Sequence, residues 1–321
     1  MLGQLYTITR NTFLESLRQP IVLVITIVGS VLIWLNLSIA AYTFDDDNKI
    51  LIDCGLGTLA LAGLLVAGFC ATGVLSAEIE NRTVLTVVSK PVSRVVFVLG
   101  KFLGVALAVT LVYWLLSMEF LMTVRHRVMS TASDPFDEPV ILFSSLAGLI
   151  ALIVASWGNY FFQWVFTSRA VVLLAIGQTL ALGLVLVIDK QWQFQSPLTD
   201  IDPQLMIALL LVLEGLMILS AVGITASTRL GQVMTLVILV GVGALGLVSE
   251  VMFGRFLQES ILARFCYWVV PNIQYFWLAD ALTQGHPITV GHMLWVSGYA
   301  ALFLLAVLSL AVALFQTREL G

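Results

Sequence analysis

Three groups of residues in this chain have the types and spacing to do chemistry. The first is the stretch "SAEIENRTVLTVVSKPVSRVVFVLGKFLG", Ser76 to Gly104, which lies between two long apolar runs and holds four of the fifteen basic residues, Arg82, Lys90, Arg94 and Lys101. Glu78, Glu80, Arg82 and Thr83 offer polar contacts there, and Val84, Leu85 and Val87 stand beside them as an apolar surface. That mixture is the chemistry of a docking contact. The second group is a single carboxylate, Glu214 in "LLLVLEGLMIL". A mid-span acid costs about 2.5–3.5 kcal/mol to insert, so it faces a partner or a wet cavity and often lies on an ion path; a hydrogen-bonded packing acid is the plainer reading. Gly215 beside it permits close approach of another backbone. The third is Gly100-Lys101, the one Gly-Lys pair in the chain.

A phosphate-binding P-loop needs GxxxxGK[ST], whose backbone amides and lysine cradle nucleotide phosphates. Here Val95 stands where the first glycine belongs and Phe102 where the hydroxyl belongs, so the pattern fails twice. The chain is therefore not expected to hydrolyse ATP itself. Cys54, Cys70 and Cys266 show neither CxxC nor metal-ligand spacing, which predicts no disulfide framework and no metal site. His126, His286 and His292 form no HExxH pair and have no partnered nucleophile, which argues against an intramembrane enzyme.

The elements that must position these residues follow from composition. At 321 residues with 60% hydrophobic and 11% charged content, the chain has more apolar surface than a soluble core of its length can hide. Its mean hydropathy is +1.03. It reads as an all-α integral membrane protein forming one transmembrane domain over residues 1–321. The net charge of -4 and the scattering of basic residues leave no field for nucleic acid. Crossing a bilayer takes about 20 apolar residues. Eight such spans are predicted, near 21–42, 54–76, 102–124, 141–166, 170–188, 204–226, 231–254 and 292–315. "TSR" (Thr167 to Arg169) and "STRLGQ" (Ser227 to Gln232) are the tips of two tight hairpins.

Lysine and arginine placement orients the set. With the N-terminus inside, nine basic residues lie within (Arg10, Arg18, Arg82, Lys90, Arg94, Lys101, Arg169, Arg229, Arg318) and six lie outside (Lys49, Arg125, Arg127, Lys190, Arg255, Arg264). Both termini are then cytoplasmic. The run from Ile21 to Tyr42 exceeds the core of about 7–15 residues of a secretory signal, so no cleavage is expected. On a wheel of about 100° per residue, Leu2, Leu5, Tyr6, Phe13 and Leu17 fall on one side and Gln4, Asn11, Glu15 and Arg18 on the other. Residues 1–18 therefore read as a helix lying in the membrane interface, with an ordinary juxtamembrane tail as the alternative. Ile8 and Leu14 break the pattern, and Pro20 marks the turn into the first span. Glu119 and Glu250, near the outer ends of the third and seventh spans, read as interfacial.

The loop at 77–94 is the longest on the inner side. Ser76 is a candidate N-cap, Glu78 and Glu80 suit the positive end of a helix dipole, and Glu78 with Arg82 is an i,i+4 pair. A short helix from 77 to 88 is predicted, ended by Pro91, which also pushes Lys90 out of the helical region. On the residues alone, Lys90, Pro91, Arg94 and Lys101 equally read as inner-loop anchors that hold topology.

Four segments together resemble one family. "AEIENRTVLTVVSKPVSRVVFVLGKFLG" resembles the loop between the second and third spans of type-2 ABC exporter permeases, where an acidic residue, a short helix, "PVSR" and an "LGK" entry recur in order. "RNTFLESLRQP" resembles their elbow helix, "STRLGQ" a later inner loop, and "VVPNIQYFWLADALTQG" the short outer helices before the final span, here within 255–290. The resemblance implies a permease subunit in the plasma (inner) membrane. It implies that Glu78, Glu80, Arg82, Thr83, Val84, Leu85 and Val87 form a coupling helix seated in a groove of a separate cytoplasmic ATPase, which binds the ATP and magnesium. It also implies a second permease copy or a related permease as partner. Such permeases commonly have six spans; the hairpin at 141–188 is the departure. The rival reading is an ion-gradient-driven secondary transporter working through Glu214.

Overall fold

The computed structural model describes residues 1–40, 47–76, 93–128 and 136–317. In a bilayer core no water is present to satisfy backbone N–H and C=O groups, so an apolar run of this length closes its own hydrogen bonds as a helix. The described elements are α1 (Leu2–Arg18), α2 (Pro20–Ala40), α3 (Asp47–Ala71), α4 (Arg94–His126), α5 (Glu138–Phe162), α6 (Phe166–Val187), α7 (Pro203–Ser227), α8 (Gln232–Met252), α9 (Ile261–Val269), α10 (Ala279–Thr283) and α11 (Val290–Gln316). The end of α3 passes into a π-helical turn, Thr72–Ser76. Short 3₁₀ turns at Gly254–Phe256 and Ile273–Phe276 flank α9, with Pro271 at the break. Among the described residues, eight helices are long and apolar enough to cross a membrane: α2 to α8 and α11.

Polar caps set several starts. The Ser93 hydroxyl accepts from the Val96 amide, Asp137 from Val140 and Asp202 from Gln204. Pro139 and Pro203 occupy first-turn positions where no N–H is needed.

The bundle is built around α4. This helix touches α1, α2, α3, α5, α6, α7 and α11, and it is the most buried of the eight spans. One continuous apolar core runs from Leu17 through the faces of α3, α4 and α7 to Phe315. The Tyr113 hydroxyl ties α4 to α7 by donating to the Leu209 carbonyl at 2.7 Å. Helices α5 and α11 are the least buried and form the flanks.

Contacts assign the ends of the helices to two faces. The Thr167 hydroxyl donates to the Arg18 carbonyl at 3.1 Å, which puts the α5–α6 tip beside α1. Arg94 donates to the Gln316 carbonyl and Arg229 to the Thr317 hydroxyl, so the start of α4, the α7–α8 tip and the end of α11 share one face. Lys101 of α4 lies beside Glu15 of α1, joining these to a single α1 end of the bundle. The opposite, far end carries the 188–202 connection and the short elements between α8 and α11.

Three sequence expectations are revised. The third span starts at Arg94 rather than near 102, because Ser93 caps it and the Gly100-Lys101 region is packed rather than solvated. The first hairpin breaks at residues 163–165 rather than at "TSR". Gln163 adopts a left-handed backbone, φ 55°, and Trp164 folds back against Gly158, so Thr167 to Arg169 fall in the first turn of α6. In α1 the predicted apolar side is split: Leu17 is fully buried whereas Leu2 and Tyr6 are exposed. The helix turns Ile8, Thr9 and Thr12 toward α4 instead.

The two-ended arrangement predicts accessibility. In a cysteine-free background, Thr199→Cys and Gln284→Cys should label with an impermeant maleimide from one side of a sealed membrane, and Ser168→Cys and Gln232→Cys from the other. Labelling of all four from one side would reject the eight-span bundle.

Candidate functional site

The sequence-predicted site begins at the α1 end. Gly100 and Gly104 are four residues apart, so they share one face of α4. A Cβ at Gly104 would lie 2.8 Å from the Thr9 carbonyl, and one at Gly100 would lie 2.7 Å from Ile8 Cγ2. The two glycines therefore form the slot into which α1 fits. Small residues at such a crossing let backbones approach and gain dispersion contact, the main source of helix association in lipid.

Lys101, between those glycines, is 4% exposed. Its Nζ donates to the Val74 carbonyl at 3.4 Å, lies 4.0 Å from the Glu15 carboxylate and sits 5.6 Å above the Phe97 ring. It joins α1, α4 and the π-helical end of α3. Arg94 holds the C-terminal carbonyls of α11 at Phe315 and Gln316, where a cation also suits the helix dipole. The structure thus brings Arg94 and Lys101 to one end, both engaged with other helices. Glu78, Glu80, Arg82, Thr83, Val84, Leu85, Val87, Lys90 and Pro91, and the helix expected at 77–88, lie outside the described residues.

Glu214 sits in α7, and its Oε1 accepts from the Ser297 hydroxyl of α11 at 2.8 Å. Its Oε2 is buried and has no hydrogen-bond partner among the described residues. Arg229 lies fifteen residues on, about 22 Å along the helix, and bonds to Thr317, so it does not pair with the acid. The group that approaches Gly215 is the Phe276 side chain rather than another backbone.

Glu119 was expected at the interface and is instead 2% exposed. Helix α4 continues to His126, which leaves Glu119 about 10 Å inside the helix end, where it bonds with Ser30 of α2. Its Oε2 likewise has no partner. The interfacial expectation follows from distance to the span end alone, and polar Ser30 in α2 was the available signal of a partner. Among the described residues neither carboxylate forms an ion pair. Each offers one open oxygen inside the bundle, able to take a proton or a cation.

The far end holds a cluster the sequence did not announce. Arg125 is buried at the end of α4, with Nε 3.3 Å from Asp137 and 3.2 Å from Asp200, and Nη2 donates to the Ile188 carbonyl at 2.6 Å. Asp189 braces the connection by accepting from the Gln191 and Gln193 amides. Lys190 donates to the His126 carbonyl at 3.2 Å. These contacts pin the 188–202 segment across the ends of α4, α5 and α6. A cavity of about 680 Å³ opens beside them, lined by Trp34, His126, Arg127, Ser144 and Gln178 among others.

Glu250 stays near its expected level, at the end of α8. The Tyr267 hydroxyl donates to it at 2.9 Å and Asn272 Nδ2 at 3.3 Å, while Tyr299 receives the Asn272 amide. Burial, with hydrogen bonds to Tyr275 and Glu250, pushes the Tyr267 phenol above the ordinary tyrosine range. Tyr275, Trp295 and Tyr299 pack ring against ring next to it. The aromatic residues of this segment therefore anchor the short far-end elements onto α8 and α11. Among the described residues no group of three His, Cys, Asp or Glu could hold a metal ion.

No family model matches the chain, and no curated protein matches it. The chain is an all-helical, multi-pass integral membrane protein.

The far-end cluster predicts unequal losses. Removing one partner of a buried ion pair leaves a charge uncompensated, at about 3–5 kcal/mol. Arg125→Gln, which strands Asp137, should therefore lower the thermal midpoint in detergent strongly. Asp200 is partly exposed and its loss leaves the Arg125–Asp137 pair in place, so Asp200→Asn should cost about 1 kcal/mol or less. Equal losses from the two would show that the cluster does not act as described.

Proposed function

We propose that the chain is the membrane permease subunit of an ATP-driven exporter of the ABC type. ATP and magnesium are bound by a separate cytoplasmic ATPase, and the permease pairs with a second copy or a related permease in the plasma (inner) membrane, with both termini cytoplasmic. The resemblance of four segments to type-2 ABC exporter permeases supports this reading. The observation that carries it in three dimensions is the tether of segment 77–92. On its N-terminal side the chain leaves a π-helical turn whose Val74 carbonyl holds Lys101; on its C-terminal side it enters α4 directly at Ser93. Single-turn π segments are frequent at functional sites. A push on the segment is delivered to α4, and α4 touches seven other helices, α1, α2, α3, α5, α6, α7 and α11. A coupling helix made of Glu78, Glu80, Arg82, Thr83, Val84, Leu85 and Val87 would convert closure of an ATPase groove into motion of the bundle.

An apolar anchor such as Leu85, buried in that groove, is worth roughly 1.5–3 kcal/mol. Leu85→Asp and Arg82→Glu should leave the chain inserted but release the ATPase or uncouple its hydrolysis from transport, and Lys49→Glu in the first turn of α3, at the far end, should do neither. Normal co-purification and coupled transport by both inner-loop variants would reduce the loop to a topological anchor.

The second reading, a secondary transporter driven by an ion gradient, is favoured by one observation: Glu214 keeps an unpartnered oxygen inside the bundle. The two readings separate on Glu214→Gln. In an ATP-driven permease this variant should retain ATP-dependent transport. In a gradient-driven carrier it should abolish proton- or sodium-driven uptake by the purified chain in vesicles. Gradient-driven uptake by the wild-type chain alone would overturn the ABC reading.

A further inference from the structure

A cleft of about 500 Å³ lies between α1 and the α5–α6 tip. Three arginines line it: Arg10 and Arg18 from α1, and Arg169 from the first turn of α6. Phe13, Leu17 and Trp164 supply much of its apolar wall, and none of its lining residues is acidic. The acid of α1, Glu15, is turned to Lys101 on the α4 side. Among the described residues Arg10, Arg18 and Arg169 have no ion-pair partner. Arg169 instead lies over the Trp164 ring at 5.2 Å, which fixes the guanidinium at the mouth of the cleft.

The site is constructed rather than incidental. Trp164 is seated against Gly158 and its carbonyl accepts from Asn159 Nδ2 at 2.6 Å, while Thr167 holds the tip to the Arg18 carbonyl. Three positive charges and no acid among the lining residues make the cleft favourable to an anion. Guanidinium favours phosphate because its fork matches two phosphate oxygens at once.

A second, independent observation says which phosphate. At the same end of α5, Trp157, Tyr160, Phe161 and Phe162 are exposed on the bundle surface. Amphipathic aromatic rings collect at the boundary between hydrocarbon and headgroups, so they set the cleft at headgroup depth. We propose that this cleft binds the headgroup phosphate of an anionic phospholipid from the leaflet at the α1 end, with the acyl chains against its apolar wall. Basic pockets between membrane helices take anionic headgroups in this way. The lipid would bridge α1 to the α5–α6 hairpin, giving that hairpin a role as one wall of a lipid site. The inference rests on the membrane-spanning bundle and not on the ATP-driven reading.

The test uses the purified full chain in detergent, titrated with phosphatidylglycerol, phosphatidylcholine or inorganic phosphate and read by native mass spectrometry and thermal unfolding. Phosphatidylglycerol should bind saturably and raise the midpoint, and the other two should do neither at equal concentration. Arg10→Gln and Arg169→Gln should each weaken phosphatidylglycerol about fivefold, and Arg255→Gln at the far end should not. An unchanged midpoint in phosphatidylcholine certifies that the variants fold. Equal binding of both lipids, wild-type affinity in the double variant Arg10→Gln/Arg169→Gln, or inorganic phosphate binding as tightly as phosphatidylglycerol would each overturn the assignment.

Discussion

The close approach of α1 to α4 at Gly100 and Gly104 is the contact on which the α1 end of the molecule depends. Small residues at a helix crossing let the two backbones come together and gain contact. Association then rests on contact distance, and two glycines one turn apart allow it. With α1 seated, Glu15 reaches Lys101, and Lys101 can be buried against the Val74 carbonyl without being left unpaired. The start of α4, the end of α3 and the N-terminal helix become one unit. Arg94 adds α11 to it through carbonyls that the helix itself leaves free.

Polar groups in this bundle fall into two populations with different consequences. At the far end they are bound by several partners: Arg125 by two carboxylates and a carbonyl, Glu250 by a tyrosine and an asparagine. Such networks hold short connections in one place, which is how the 188–202 segment and the elements between α8 and α11 acquire fixed positions. In the middle, Glu119 and Glu214 are each held by one serine and left open on the other oxygen. An open oxygen in low dielectric is a cost to stability. The far-end network fixes the connections there, and the two mid-bundle acids each join one pair of helices.

The same division organises the functional reading. The residues on either side of segment 77–92, the π-helical turn and the start of α4, are both packed into the α1 end. The α5–α6 hairpin stands at the edge, with α5 among the least buried spans. Its tip closes on α1 through Thr167, and its far end is closed by Arg125 and the 188–202 segment. A hairpin fastened at both ends but exposed along its length presents surface to lipid, which suits the arginine-lined cleft at its base.

Composition and hydropathy alone determined the helical class and the eight spans, because every apolar run long enough to cross a bilayer must satisfy its own backbone as a helix. Turn residues marked "STRLGQ" as a hairpin tip and Pro271 as a break for the same local reason. Span edges were less legible where tertiary contact extends a helix: α4 runs through Lys101 because Glu15 and Val74 receive its charge. In α1 the sequence left Ile8 and Leu14 outside its single apolar side. Ile8 and Leu14 violate a single apolar face, yet Ile8 packs on Gly100 and Leu14 lines the arginine cleft, so the helix has two faces serving two neighbours. Glu214 announced itself as a lone acid in an apolar run. The partner of Glu119, the Arg125–Asp137–Asp200 cluster and the meeting of Arg10 and Arg18 with Arg169 did not, since each joins elements far apart in sequence. Local spacing cannot report which helices are neighbours; only packing in three dimensions decides that.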